Sequence, residues 1–286
     1  MTRASTGFGL LRHSADRRTL AFLLSFNILL AAQWFGIDRS SYLLLPTYLL
    51  AVVALVVKHN QIHSPTFRSH GWNRAFNLYL SVLTALPTSG VITAHNILHH
   101  QHNNTDVDFV RCSLVRSRWN FVNLFSFFFI SVRTMYRNKP SDMKNWRQTQ
   151  PRLYKQAIAE RIATYGSLAL LILLDWRSTL KYCAGPWLFA QWALVTINLL
   201  QHQDCDFDSE FNHSRNLTGG LLNWLLLNNG YHTAHHMFPA AHWSKLKEIH
   251  RRVVVSHTDP SLEEKSLWLC LWRRFVLGKG WQGGQA

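Results

Sequence analysis

Residues 42–63 read YLLLPTYLLAVVALVVKHNQIH, an uncharged apolar run that stops at Lys58 and then sets two histidines four positions apart. A helix needs roughly 17–25 mostly apolar residues to cross a bilayer, and this run reaches that length once its flanking turns are counted. If the helix continues beyond its last apolar residue, the i, i+4 spacing puts His59 and His63 on one face. Ser64-Pro65 then ends it, because the residue before a proline avoids the α region. A single element therefore carries a membrane span and, at its end, a pair of imidazoles.

Three more runs resemble the first half of that stretch. Residues 19–37 read TLAFLLSFNILLAAQWFGI, and residues 162–174 and 184–200 form a second closely spaced pair. The mean hydropathy of -0.06 hides this segregation. Buried helices of a soluble enzyme are the alternative, but four such runs in two pairs predict two membrane hairpins. The expected fold is an all-α integral membrane protein with spans at about 19–37, 42–60, 158–175 and 184–202. Residues 61–157 and 203–286 would form a helical cytoplasmic cap, with residues 1–286 as one domain.

The net charge is +15, gathered in the N-terminal arm, the long middle region and the C-terminal region. The short connections carry only Arg39, Arg177 and Lys181. Because short loops weigh most in the positive-inside rule, both termini and the large middle loop are expected on the cytoplasmic side. The basic surface calls for no nucleic acid partner: no such motif is present, and anionic lipid headgroups suffice. The basic start lacks an A-x-A-like end, so no cleavable signal is expected. The 4 cysteines show no CxxC spacing and form neither a disulfide framework nor a thiolate metal site; Cys205 alone lies near a histidine cluster.

Of 16 histidines, eight fall in three clusters: HNQIH (59–63), HNILHH (95–100) and HTAHH (232–236). Read as helix, HNILHH puts His95 and His99 on one face and turns His100 about 100° towards a second centre. His232, His235 and His236 repeat the idea at i, i+3 and i+4. Neutral imidazole suits iron, copper or zinc, and binding should weaken as the pH falls below about 6.5. His202 ends the fourth apolar run, with Asn198 one turn earlier. Asn198 either bonds to a neighbouring helix or contacts a metal through water. Nine histidines exceed what one four- to six-coordinate ion uses, so two metals are expected. No zinc hydrolase motif appears, and imidazole-held iron beside an apolar membrane space suggests oxygen chemistry on a lipid-like substrate. The Glu-x-x-His pairs of soluble di-iron bundles are missing. Asp106, Asp108, Asp204, Asp206 and Asp208 are candidate acceptors for imidazole N–H groups, or plain solvated turns. His13, His70, His242, His250 and His257 read as surface or packing residues, and His102 extends the second cluster as a neighbour rather than a ligand.

The three clusters match the HxxxH, HxxxHH and HxxHH boxes of the membrane fatty acid desaturase superfamily in order and separation. The resemblance covers about residues 45–250, and QHQDCDFDSEFNHSRN (201–216) and NNGYHTAHHMFPAAHWSKL (228–246) look most like bacterial acyl desaturases. It implies four membrane helices under a cytoplasmic cap and two iron ions held by His59, His63, His95, His99, His100, His202, His232, His235 and His236. Asn198 matches a position that reaches iron through water in some members; the resemblance does not settle His213, which stays a candidate for an outer contact to the ligands. The implied reaction uses O2 to place a C=C bond in a fatty acyl chain carried on CoA, acyl carrier protein or a lipid. Hydroxylases and other oxygenases share the boxes, so an acyl or lipid hydroxylase stays open. A non-redox membrane metal-binding protein is a more distant alternative, since the boxes lie outside the apolar runs rather than within them.

The region from Leu80 to Val91 and the aromatics Trp119, Phe121, Phe125 and Phe127 to Phe129 are candidates to line an acyl tunnel. No fused cytochrome b5 or ferredoxin module is visible, so a separate donor of that kind is expected. Arg133, Arg137, Lys139, Lys144 and Arg147 would either dock it or meet lipid headgroups.

Overall fold

A computed structural model of the chain describes residues 9–115, 120–138 and 142–278. Helices α1 (Asp16–Trp34) and α2 (Leu44–His63) form the first hairpin. It is fastened in its apolar interior by Gln33, whose Nε2 donates to Thr47 Oγ1 at 2.6 Å, both side chains being buried. Such polar links between helices stand in for the hydrophobic drive that lipid cannot supply. Residues Ala51 to Val57 of α2 are all buried, because α2 packs on α1 on one side and on α8 (Gly185–His202) on another.

After α2, the chain forms α3 (His70–Leu83), then α4 (Thr88–Val91), which runs directly into a π-helical turn, Ile92–His99. The two stretches bend by 92° across the break. Buried polar groups hold this bent pair in place. Lys58 Nζ donates to Thr84 Oγ1 and to the Leu86 carbonyl. Glu160 accepts from the Ser89 amide at 2.7 Å and from Gln156 Nε2 at 2.9 Å. Unpaired, each group would be costly to bury.

Helix α5 (Phe121–Asn138) packs on α8, α6 (Asp142–Thr149) on α7, and α7 (Pro151–Ser178) on α3 and α4. Beyond α8 the structure is made of short pieces: a strand β1 (Asn216–Leu217), α9 (Gly220–Leu225), α10 (His232–Met237), α11 (Leu246–Ile249), β2 (Glu263–Glu264) parallel to β1, and α12 (Leu267–Leu271). The start of α1 is tied to the segment after α10. Asp16 accepts from Thr19 Oγ1 (3.0 Å), His242 Nε2 (3.1 Å) and Trp243 Nε1 (3.0 Å). Burial opposes ionisation of the Asp16 carboxyl, but these hydrogen bonds outweigh it and hold the group below the ordinary carboxylate range.

The chain is mostly helical, as expected, but the spans differ from those read off the sequence. Among the described residues, two helices are long and apolar enough to cross a membrane, Ser41–His63 and Pro151–His202, or up to three if the bent α3–α4 pair is one span. The run expected at 19–37 forms α1, but the helix starts earlier and takes Asp16, Arg17 and Arg18 into its first turn. The loop expected between the third and fourth spans is helical. Only Asp175 leaves helical geometry (φ -157°, ψ 92°), and its carboxylate caps the next turn by accepting from the Ser178 amide at 3.0 Å. Helix α7 turns bare apolar side chains outward, Leu173 at 84% exposure among them. Surfaces of this kind require an apolar surrounding.

Candidate metal centre

Four elements converge at one end of α2 and α8. The last turns of α2 bring His59 and His63, and Ser64 breaks to extended backbone (φ -135°, ψ 99°), as Pro65 requires. The π-helical turn brings His95, His99 and His100, the end of α8 brings His202, and α10 brings His232, His235 and His236. Amide side chains interleaved with the histidines lace these elements together. Asn96 donates to the Ile62 carbonyl (3.1 Å), Asn229 to Asn60 Oδ1 (3.1 Å), and Gln201 to the Asn229 carbonyl (3.2 Å).

The nine imidazoles fall into two groups. His59, His63, His95, His100 and His235 form one; His99, His202, His232 and His236 form the other, with one ring nitrogen from each within 4.8 Å of the others in its group. An α-helical spacing pairs His95 with His99 and turns His100 elsewhere; the structure instead groups His95 with His100. Because the segment is π-helical, its turn closes at i+5: the His100 amide donates to the His95 carbonyl at 2.9 Å. His95 and His100 therefore share a face, their Nε2 atoms 3.0 Å apart, and His99 goes to the other group.

These spacings fit metal ligands better than hydrogen bonds. His100 Nε2 lies 3.0 Å from Nε2 of both His95 and His235, and His235 Nε2 lies 3.1 Å from His59 Nε2. In the second group, His232 Nε2 is 2.8 Å from His202 Nε2 and 3.2 Å from His236 Nε2. A neutral ring carries one N–H, so no choice of tautomers gives every such contact its own linear hydrogen bond. Two nitrogens each about 2.1 Å from one ion, at right angles, lie about 3.0 Å apart. In addition, His63 Nε2 and His99 Nε2 are buried without a hydrogen-bond partner.

Neutral rings are what burial favours here. Burial pushes His100 down to about 2, with His63, His99 and His213 adding to it. Burial, then the neighbouring histidines, also hold His232, His235 and His236 well below the ordinary imidazole value. Outer contacts fix ring orientation. His99 Nδ1 donates to Asp108 Oδ2 at 2.9 Å, and that buried carboxylate also accepts from the amides of Asn104 and Val110. His202 Nδ1 donates to the His213 carbonyl at 3.2 Å.

Of the five candidate aspartates, Asp108 bonds to a clustered imidazole, His99. Asp106 is exposed and faces Arg111, and Asp206 and Asp208 are exposed. Asn198 stands one turn before His202 with its Nδ2 buried and unpartnered. His102 is exposed. Cys205 is buried, and burial raises its thiol to about 11, so it stays protonated. Among the tunnel candidates, Leu80, Leu83 and Phe127 are buried, whereas Phe121, Phe125 and Phe129 face outward. Trp119 lies outside the described residues. Arg133, Arg137 and Arg147 are exposed; Lys139 and the side chain of Lys144 lie outside the described part.

A family model described as fatty acid desaturase matches residues 39–259, a stretch that holds all nine histidines, Asn198 and Asp108. The chain is also similar to a sphingolipid delta(4)-desaturase of Candida albicans, with 25% identity over 230 residues, 73% of this chain and 60% of that relative. The match thus takes in less than two thirds of the relative's length.

Proposed function

The chain belongs to the fatty acid desaturase family, and on that premise we propose that it is an O2-dependent di-iron desaturase that introduces a C=C bond into a fatty acyl chain. The observation that carries this reading is the pair of histidine groups, five and four, side by side. His59, His63, His95, His100 and His235 would hold one iron, and His99, His202, His232 and His236 the other, with Asn198 acting through water. Bound iron supplies the oxidising power for an unactivated C–H bond, which no side chain can provide. The two methylene hydrogens and two electrons from a donor reduce O2 to water, two further protons being taken from solvent. The chain's own part is to keep imidazoles such as His100, His232, His235 and His236 neutral by burial, to hold His99 and His202 through Asp108 and the His213 carbonyl, and to keep water from the reacting carbons.

The same reading has the chain cross the membrane four times in two hairpins, with both termini and the histidine groups on the cytoplasmic side. The basic-poor short connections support it. The acyl carrier would be CoA, acyl carrier protein or a lipid; the relative's name adds a sphingolipid to that range. Electrons would come from a separate ferredoxin or cytochrome b5 type of donor at the exposed Arg133, Arg137 and Arg147. Donor-dependent turnover should then fall as ionic strength rises.

Expression in a desaturase-deficient host, with mass spectrometry of its acyl products under labelled dioxygen, tests the reaction. An alkene without label supports desaturation, and a labelled alcohol would instead make the chain a hydroxylase. A purified chain with about one zinc and no iron would sink both.

A further inference from the structure

His213 is a tenth histidine at the site, and the reading above leaves its side chain without a role. Its Nδ1 is 3.0 Å from the Glu210 carbonyl and 3.3 Å from the Ser209 carbonyl. Carbonyl oxygens only accept, so Nδ1 carries the proton and Nε2 is left with a bare lone pair. That Nε2 is buried and has no hydrogen-bond partner. The ring lies 5.5 Å, centroid to centroid, from His236 of the four-histidine group, within the 4.4 to 6.0 Å range of ring pairs inside the five-histidine group. The backbone of His213 already serves the same group, through the bond from His202 Nδ1 to its carbonyl. Yet His213 Nε2 is not gathered into that group, so it is placed beside the four nitrogens rather than among them.

A buried acceptor of fixed tautomer next to the smaller ligand group needs a donor, and the Nδ1 protons of His202 and His99 are already given to the His213 carbonyl and to Asp108. We propose that His213 is a positioning residue of the four-histidine centre, its Nε2 accepting a hydrogen bond from a water molecule held on the side of that centre not covered by imidazole. This rests on the di-iron reading, and it explains why the group with one histidine fewer has a buried lone pair beside it. Asn198, one turn before His202 on α8, likewise has a buried Nδ2 without a hydrogen-bond partner.

Two substitutions separate this role from support of the local turn. An asparagine amide overlays the Nδ1 side of the ring, so His213→Asn keeps the donor to Glu210 and deletes the acceptor. A glutamine reaches the Nε2 position, so His213→Gln keeps an acceptor and loses the turn bond. Ferrous iron is titrated anaerobically into the full chain in detergent, and the loaded protein is examined by Mössbauer spectroscopy. The wild type should take up two equivalents. In His213→Asn one equivalent should bind about 10–100-fold more weakly, the usual cost of removing an outer partner, and one of the two iron signals should shift. His213→Gln should stay within a few-fold of wild type with both signals unmoved. If His213→Gln is affected as much as His213→Asn or more, or if neither is affected, the proposal is overturned. A wild type that does not take up two equivalents of iron would instead remove the di-iron reading itself.

Discussion

His95 and His100 close one π-helical turn, the His100 amide donating to the His95 carbonyl at 2.9 Å and the two Nε2 atoms lying 3.0 Å apart. That turn divides the second histidine box between two centres, and it sorts the expected effects of single substitutions. His95→Ala and His100→Ala should weaken the same iron as His59→Ala. His99→Ala should behave like His232→Ala and His236→Ala. Each variant should hold about one iron instead of two and lose its activity. Spectra of the iron that remains decide the grouping, and a His99→Ala protein that resembles His95→Ala would restore the i, i+4 pairing.

Asp108 is expected to act only through His99. Its carboxylate fixes the ring with Nδ1 protonated and Nε2 free, while the amides of Asn104 and Val110 hold the carboxylate. Asp108→Asn keeps the shape and removes the charge, so the fold should survive. Iron affinity at the four-histidine centre should fall about 10–100-fold, and the five-histidine centre should be unaltered. Equal loss at both centres would count against this route.

Much of this site was legible in the sequence, because helical spacing and uncharged runs are local signals. HNQIH after an apolar run gave the end of α2, and all nine histidines meet in the structure. The split of HNILHH was not legible, since nothing in six residues separates an α turn from a π turn; the backbone bonding decides it. The loop expected between the third and fourth spans was misplaced for a similar reason. Asp175 looks like a turn residue, but one extended residue whose side chain caps Ser178 lets the helix resume at once. The roles of Asp108 and Asp16 depend on partners brought in by folding, with His242 lying 226 positions from Asp16.

The lowered imidazole values set a pH dependence for the metal-free protein. His100, His232, His235 and His236 all titrate below the ordinary value when folded, whereas in the unfolded chain they return to about 6.5. Below that pH the unfolded state binds more protons than the folded state. Stability is therefore complete above about pH 7 and is lost as the pH falls through 6.5 and further. More than one proton should be taken up per molecule on unfolding. The folded rings themselves stay neutral well below pH 6.5, so iron loading should be limited by loss of the fold rather than by protonation of an intact site. Denaturant midpoints measured in detergent from pH 7.5 to 5 test this, and a flat profile would contradict it.

Gly230 decides whether α10 can reach the other histidines. A Cβ there would sit 2.1 Å from the Leu217 carbonyl oxygen and 2.7 Å from Asn223 Oδ1. The first of these is backbone, and it cannot swing away, because Leu217 belongs to β1 and its amide donates to the Gly230 carbonyl at 2.8 Å. Gly230→Ala must therefore push β1 and the start of α10 apart. Overpacking of this kind costs about 1–3 kcal/mol, but the larger effect should be on the site. His232 and His236 would withdraw from His99 and His202, and His235 from the five-histidine group, so both centres should lose iron together. Melting temperature and iron content measured on the same preparation test the point. A Gly230→Ala chain that melts lower but still holds two irons would show that the gap at Gly230 serves stability alone.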